Sequence, residues 1–228
     1  MKLRAAFFDF DSTVVTKESL DEVISLALRG RPDHEKLVAE IEEITKLGME
    51  GKLPFTKSVE RRIRVAPLLR THFLEVGEML TEHITEGMQD VFMWLRDHSI
   101  ETFIVSGGIR ECILPAARTL RVPASRCFTN EALFSDEGAF SGMNTESLLW
   151  NDGGKTAAIK QVRVTNKLDG VCALVGDGSN DLSAYVAGIV ELFCGFGANV
   201  ERPSVRQKAP HWANSSAELL EWLKDTIA

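Results

Sequence analysis

Four short apolar runs in this chain each end on glycine, serine or aspartate, and helical segments separate them. The runs are Ala5–Asp9, Thr102–Val105 leading into Ser106-Gly107-Gly108, Val171–Val175 leading into Gly176-Asp177-Gly178, and Leu192–Cys194 leading into Gly195-Phe196-Gly197. Between them, apolar residues recur at helical spacing over Met88–Asp97, Ile109–Leu120, Lys155–Val162 and Asp181–Ala187. Strands that alternate with helices predict an α/β fold with a doubly wound parallel sheet. Ligands of such sheets bind outside the carboxyl ends of the strands, so the same alternation predicts where the site lies.

The stretch 16–85 departs from the alternation. It reads as successive helices over Glu18–Leu28, Asp33–Lys46, Phe55–Arg64 and Leu69–Glu82, with turn signals at Gly30-Arg31-Pro32 and from Gly48 to Pro54. This predicts a helical cap, 16–85, inserted after the first strand of a core made of 1–15 and 86–228. A shorter insertion, Phe128–Gly142, has the pattern of a hairpin turning at Asp136-Glu137-Gly138.

At 228 residues the chain can bury one substantial core with a small module beside it. A net charge of −7 makes an electrostatic grip on nucleic acid unexpected. No apolar stretch approaches the ~20 residues that span a bilayer, and the aspartates of MKLRAAFFDFD interrupt any signal-peptide core. Cys112, Cys127, Cys172 and Cys194 form no CxxC pair, which suggests buried, reduced thiols. His34, His72, His83, His98 and His211 lack metal-ligand spacing and read as surface or capping residues. The expectation is a cytoplasmic protein, monomeric or homodimeric, with no nucleic-acid or membrane partner.

Four segments carry chemistry. In Asp9-Phe10-Asp11-Ser12-Thr13, alternation along a strand would aim both carboxylates at one spot. One could attack phosphorus while its neighbour handles the leaving-group proton, provided a cation offsets the repulsion of a phosphate dianion. Gly176-Asp177-Gly178-Ser179-Asn180-Asp181 brings two more carboxylates to the same edge, a hard oxygen set suited to Mg²⁺, although Asn180 or Asp181 also serves as a helix N-cap. Ser106-Gly107-Gly108 offers a hydroxyl and close backbone N–H groups to an anion at a helix start. Lys155 opposes the macrodipole in the first turn of its helix, and neutralising a phosphate supplies a reason for it.

The order DxDST, SGG, GGK, GDGSND resembles the haloacid dehalogenase superfamily, in particular its phosphoserine phosphatases. The likeness includes DFDSTVVTKESLDE from Asp9 to Glu22, the Met49–Phe55 turn, Val105–Arg110 and GFGANVER from Gly195 to Arg202. It implies a Rossmann-like core with a helical cap after the first strand, acting on a small-molecule phosphomonoester, O-phosphoserine foremost; the alternatives are hydrolysis or phosphoryl transfer on another small phosphorylated metabolite and, last, a non-catalytic binding module. It further implies that Asp9 is the nucleophile and Asp11 the general acid and then base. Asp9, the main-chain carbonyl of Asp11, and Asp177 would bind Mg²⁺, with Asp181 supporting Lys155 or a metal-bound water. Ser106, Gly107, Gly108 and Lys155 would hold the phosphate, with Asn180 near the substrate. Glu18 would face the substrate amine, Arg62 its carboxylate, and Met49 and Phe55 would close over it. Asn199 and Arg202 also match the pattern near the site.

Overall fold

The computed structural model describes residues 3–226. Strand β1 (Leu3–Phe8) is followed by four helices, α1 (Ser19–Ala27), α2 (His34–Met49), α3 (Phe55–Ile63) and α4 (Arg70–Met79), then by α5 (Met88–Asp97) and β2 (Glu101–Ile109). Helix α6 (Arg110–Thr119) leads to β3 (Cys127–Asn130), to the hairpin of β4 (Ala132–Phe134) and β5 (Phe140–Met143), and to α7 (Gly154–Thr165). The chain ends through β6 (Val171–Gly176), α8 (Ser179–Val186), β7 (Leu192–Phe196), α9 (Pro203–Arg206), β8 (His211–Ala213) and α10 (Ser216–Asp225).

The main sheet is parallel throughout, in the order β3-β2-β1-β6-β7-β8. Because β1 is central, both of its faces are apolar. Ala5 and Phe7 enter one core cluster while Ala6 and Phe8 enter the other. In β6, Cys172 and Leu174 join the first cluster, and Ala173 and Val175 the second. Helices cover both faces, which is why these strands read as continuous apolar runs rather than alternating ones. All four cysteines are buried free thiols. Among the described residues no helix is long and apolar enough to cross a membrane.

Several expectations shift. The sheet has six strands where four were read. Cys127 and Phe128 pair with Ile104 and Val105 as edge strand β3, so the expected hairpin is confined to β4 and β5. Strand β8 is only three residues long, too short to carry a pattern. Gly195 and Gly197 do not open toward a ligand: a Cβ on either would overlap the Trp212 indole. Strand β2 continues through Ser106-Gly107-Gly108 to Ile109, which pairs with Asn130, so the helix begins at Arg110. Helix α2 runs on through Gly48, whose missing Cβ lets it lie against Ser58 of α3.

The hairpin is tied to the segment before α4. Arg70 N–H donates to Gly138 O (2.8 Å) and Phe140 N–H to Leu68 O (3.0 Å), while Phe73 packs against Phe134 and Phe140. Helix α4 in turn lies on α6 at Gly77, where a Cβ would overlap the carbonyl oxygen of Glu111. Helix propensity alone favours Gly77→Ala by about 1 kcal/mol. Overlap with backbone that cannot rotate aside costs ~1–3 kcal/mol. Gly77→Ala is therefore expected to lower the denaturant midpoint; an unchanged or higher midpoint would contradict this packing.

Candidate active site

The β1 ladder carries past Phe8 to Asp9, whose N–H donates to Val175 O (2.9 Å), and the chain then turns sharply. Thr13 and Val14 donate their N–H groups back to Phe10 O, and Ser12 adopts a left-handed backbone (φ 54). Asp9 and Asp11 thus converge through this turn, not through the strand alternation expected. Asp9 Oδ1 accepts from Phe10 N–H (2.7 Å). Asp11 accepts at Oδ1 from Ser19 N–H (3.0 Å) and at Oδ2 from the Ser19 hydroxyl (2.9 Å). Asn199 closes the turn from the far side, donating to Ser12 O (3.1 Å) and to the Thr85 hydroxyl oxygen (2.8 Å).

Lys155 is buried, and its Nζ lies 2.9 Å from Asp9 Oδ2 and 2.6 Å from Asp181 Oδ1. Asp181 also accepts from Gly178 N–H (3.1 Å), and its carboxyl fills the space a Cβ on Gly176 would take. Asp177 accepts from Arg202 Nε (2.6 Å) and from the Thr13 hydroxyl (3.2 Å). Arg202 reaches on with Nη2 to Glu18 Oε1 (3.1 Å), which also accepts from the Ser12 hydroxyl (2.7 Å). Carboxylate oxygens of Asp9, Asp177 and Asp181 lie within 4.8 Å of one another.

Burial drives the acid strengths here. It raises Asp11 well above the usual carboxylate range, helped by the charges of Glu18 and Asp9. It lifts Asp181 to about 8 and Glu18 to about 7, and it raises Asp177 despite Arg202. For Lys155, burial pulls downward, but the carboxylates of Asp181 and Asp9 outweigh it and hold the ammonium more firmly protonated. Acids held this far above their ordinary values mark a shortage of positive charge. Asp177 and Asp181 share with Asp9 one small volume of hard oxygen ligands, the donor chemistry a divalent cation takes. The residues present fit such an ion.

Above the cluster is a cavity lined by Asp9, Asp11, Glu18, Met49, Phe55, Arg62, Ser106, Gly107, Gly108, Lys155, Asn180 and Asp181. Asp177 is fully buried below it. Ser106 Oγ accepts from Gly108 N–H (3.0 Å), which leaves the hydroxyl proton free to donate. Phe55 and Met49 rest on the glycines: a Cβ on Gly107 would come 2.8 Å from the Phe55 ring, and one on Gly178 3.3 Å from Met49 Cε. Asn180 is exposed at the rim.

Arg62, expected to face a substrate carboxylate, is largely committed to protein acceptors. Nη1 donates to Asp21 Oδ1 (2.8 Å) and Thr45 Oγ1 (2.9 Å), and Nε to Ser58 O (3.4 Å), so only Nη2 is without a protein acceptor among the described residues. Arg61 and Arg64 are exposed instead. Sequence reasoning passed over Asp21 and Thr45, which anchor Arg62, and over Met143 of β5, which lines the cavity. No local motif marks them, since each meets its partner only through helix and hairpin packing.

The comparisons with known proteins agree with this geometry. A human protein named phosphoserine phosphatase is 28% identical over 221 residues, covering 97% of this chain and 93% of its own. One of the same name from Methanocaldococcus jannaschii is 30% identical over 212 residues, covering 91% and 90%. A crystal structure described as a phosphoserine phosphohydrolase-like protein from Francisella tularensis superposes with a TM-score of 0.87 at 28% identity, over 96% of this chain and 99% of that one. The sequence profile of the haloacid dehalogenase-like hydrolases matches residues 6–185. With its parallel sheet and its acidic cluster at the end of β1, the chain belongs to the haloacid dehalogenase-like hydrolase family.

Proposed function

We propose that the chain is a Mg²⁺-dependent phosphomonoester hydrolase that works through a phospho-aspartate on Asp9, with O-phosphoserine as its substrate. The observation that carries this reading is the position of Asp9, its carboxylate held against Lys155 in a cavity that Asp11 and the Ser106–Gly108 end of β2 share. Mg²⁺ would be held by Asp9, the main-chain carbonyl of Asp11, and Asp177; when bound it screens the repulsion between carboxylate and phosphate dianion. Lys155, braced by Asp181, and the Ser106 hydroxyl bind the phosphoryl oxygens and hold phosphorus in line with Asp9. Burial and the neighbouring charges raise the pKa of Asp11, which favours the protonated form that a general acid needs. It donates that proton to the departing serine oxygen, and the resulting carboxylate then takes one from the water that opens the phospho-aspartate.

Helical segment 16–85 serves as a cap that keeps bulk water from the reaction, through Met49, Phe55, Val59 and Arg62 in the cavity wall. Two features favour O-phosphoserine beyond the likeness to proteins of that name. Arg62 has Nη2 left for a carboxylate. Glu18 uses Oε1 for Ser12 and Arg202, leaving Oε2 for an ammonium.

Phosphate release over a panel of small phosphomonoesters, with and without Mg²⁺, tests the reading. Turnover is expected to need Mg²⁺, to be highest on O-phosphoserine, and to fall on the order of a thousandfold or more in Asp9→Asn. An Asp9→Asn protein that retained turnover would end the proposal. Arg62→Ala removes a charge-assisted bond of ~1.5–3 kcal/mol. It is expected to raise KM roughly ten- to a hundredfold for carboxylate-bearing esters but to leave glycerol phosphate nearly unaffected; equal losses on both would remove Arg62 from substrate reading.

The metal assignment has a readout independent of turnover. Glu18 and Asp181 hold their protons up to about 7 and about 8 when folded, whereas unfolded carboxyls lose them near pH ~4. The folded state binds more protons across that window, so stability falls as pH rises through it. In chelator the melting temperature is expected to drop between about pH 5 and about pH 8, and Mg²⁺ to restore more of it at the higher pH. A flat profile, or no response to Mg²⁺ at either pH, would overturn the assignment.

A further inference from the structure

Asn130 is a buried residue at the end of β3, outside the cavity lining and unmarked by any motif. Its side-chain amide nitrogen donates twice, to Gly107 O at 2.9 Å and to Leu149 O at 3.3 Å, while Oδ1 is buried with no protein donor. The two carbonyls belong to the two segments that supply anion-holding groups. Gly107 lies in the irregular end of β2 that presents Ser106. Leu149 lies just before α7, whose first residue, Gly154, packs so closely on the backbone of Leu148 and Leu149 that a Cβ would overlap both. Lys155 follows directly.

We propose that Asn130 is a positioning residue that sets the phosphate cradle by fixing the Gly107–Gly108 peptide plane and its register with the start of α7. The peptide is planar and trans, so its carbonyl and N–H point in opposite directions. Anchoring Gly107 O on Asn130 therefore aims Gly108 N–H the other way, onto Ser106 Oγ at 3.0 Å. With that lone pair engaged, the Ser106 hydroxyl proton is directed away from its own backbone and toward the cavity. The second bond holds the Leu149 carbonyl, and with it the approach to Lys155, at a set distance from the same end of β2. A Cβ at 107 would meet the Phe55 ring at 2.8 Å, and one at 108 would lie 3.1 Å from Ile113 and 3.2 Å from Asp11. Glycines have no side chain to hold their peptide plane, so an outside donor does it. Both bonds come from the NH₂ end, which accounts for asparagine where aspartate could not serve.

The inference rests on the phosphoryl-transfer reading of the cavity, and its test separates the two. Asn130→Ala, Ser106→Ala and the double variant are compared with the unaltered chain at a temperature where circular dichroism shows all four folded. Turnover of the best ester in the panel is measured together with binding of inorganic phosphate by calorimetry. If Asn130 acts through the Gly107–Gly108 peptide, Asn130→Ala lowers kcat on the order of ten- to a hundredfold and weakens phosphate binding. KM contributions from the rest of the substrate stay nearly constant, and the loss in the double variant falls well short of the product of the single losses. If Asn130 only supports the fold, its variant melts earlier yet keeps kcat and phosphate affinity within about twofold, or its losses multiply independently with those of Ser106→Ala; either result overturns the proposal. Should Asn130→Ala not accumulate as folded protein, Asn130→Ser is read by the same criteria. An unaltered chain that neither binds phosphate nor releases it from any ester removes the functional reading and this inference together.

Discussion

One buried ammonium, that of Lys155, holds the acidic end of the sheet together. It lies between Asp9 and Asp181, within hydrogen-bond distance of both, and all three groups are almost fully removed from water. Taking a charge out of water costs several kcal/mol unless close partners of opposite sign compensate it. The compensation here is incomplete on the positive side. Five carboxylates (Asp9, Asp11, Glu18, Asp177, Asp181) face two cations (Lys155, Arg202), which leaves a deficit of three charges if every acid ionises. Burial raises the pKa values of Asp11, Asp177, Asp181 and Glu18, and the neighbouring carboxylates add to it. A divalent ion would remove most of the deficit, and the raised pKa of Asp11 favours the proton that the proposed chemistry gives to a leaving group.

The rest of the molecule keeps these groups close and dry. Parallel strands deliver Asp9 and Asp177 side by side because β1 pairs with β6, and α7 and α8 start at the same edge with Lys155 and Asp181 in their first turns. From the other side, Phe55 and Met49 come down on Gly107 and Gly178, where no Cβ stands in the way. The small hairpin joins these two halves, since its backbone bonds to the segment before α4 while Met143 reaches the cavity wall. From the loop after β7, Asn199 braces the turn that carries Asp9 and Asp11, while Arg202 links Asp177 to Glu18.

Residues whose chemistry is concentrated in a short window were legible from sequence. Asp9, Asp11, Ser106, Lys155 and Asp181 each stand at the junction of an apolar run and a turn, and all five line the cavity. The helices of 16–85 were legible because amphipathic spacing repeats over several turns, and they fall within a few residues of the expected limits. Strands β3 and β8 were not legible, because an edge strand of three or four residues is stabilised by its neighbour's backbone and carries little side-chain pattern. Nor was the use of Arg62, whose guanidinium is shared with Asp21 and Thr45, residues 41 and 17 positions away.

The sequence by itself determined the alternation of strands and helices, the identity of the acids and the lysine at the carboxyl edge, and the glycines that keep that edge open. Those properties are local, set by side-chain type and by spacing along a few turns of chain. Only the tertiary structure decided which charges pair, which guanidinium nitrogens remain for a ligand, and that a buried asparagine spans the two anion-holding segments. Such choices depend on distances between residues far apart in sequence, and burial fixes them, because a polar group shut away from water must take whatever partner the fold brings within reach.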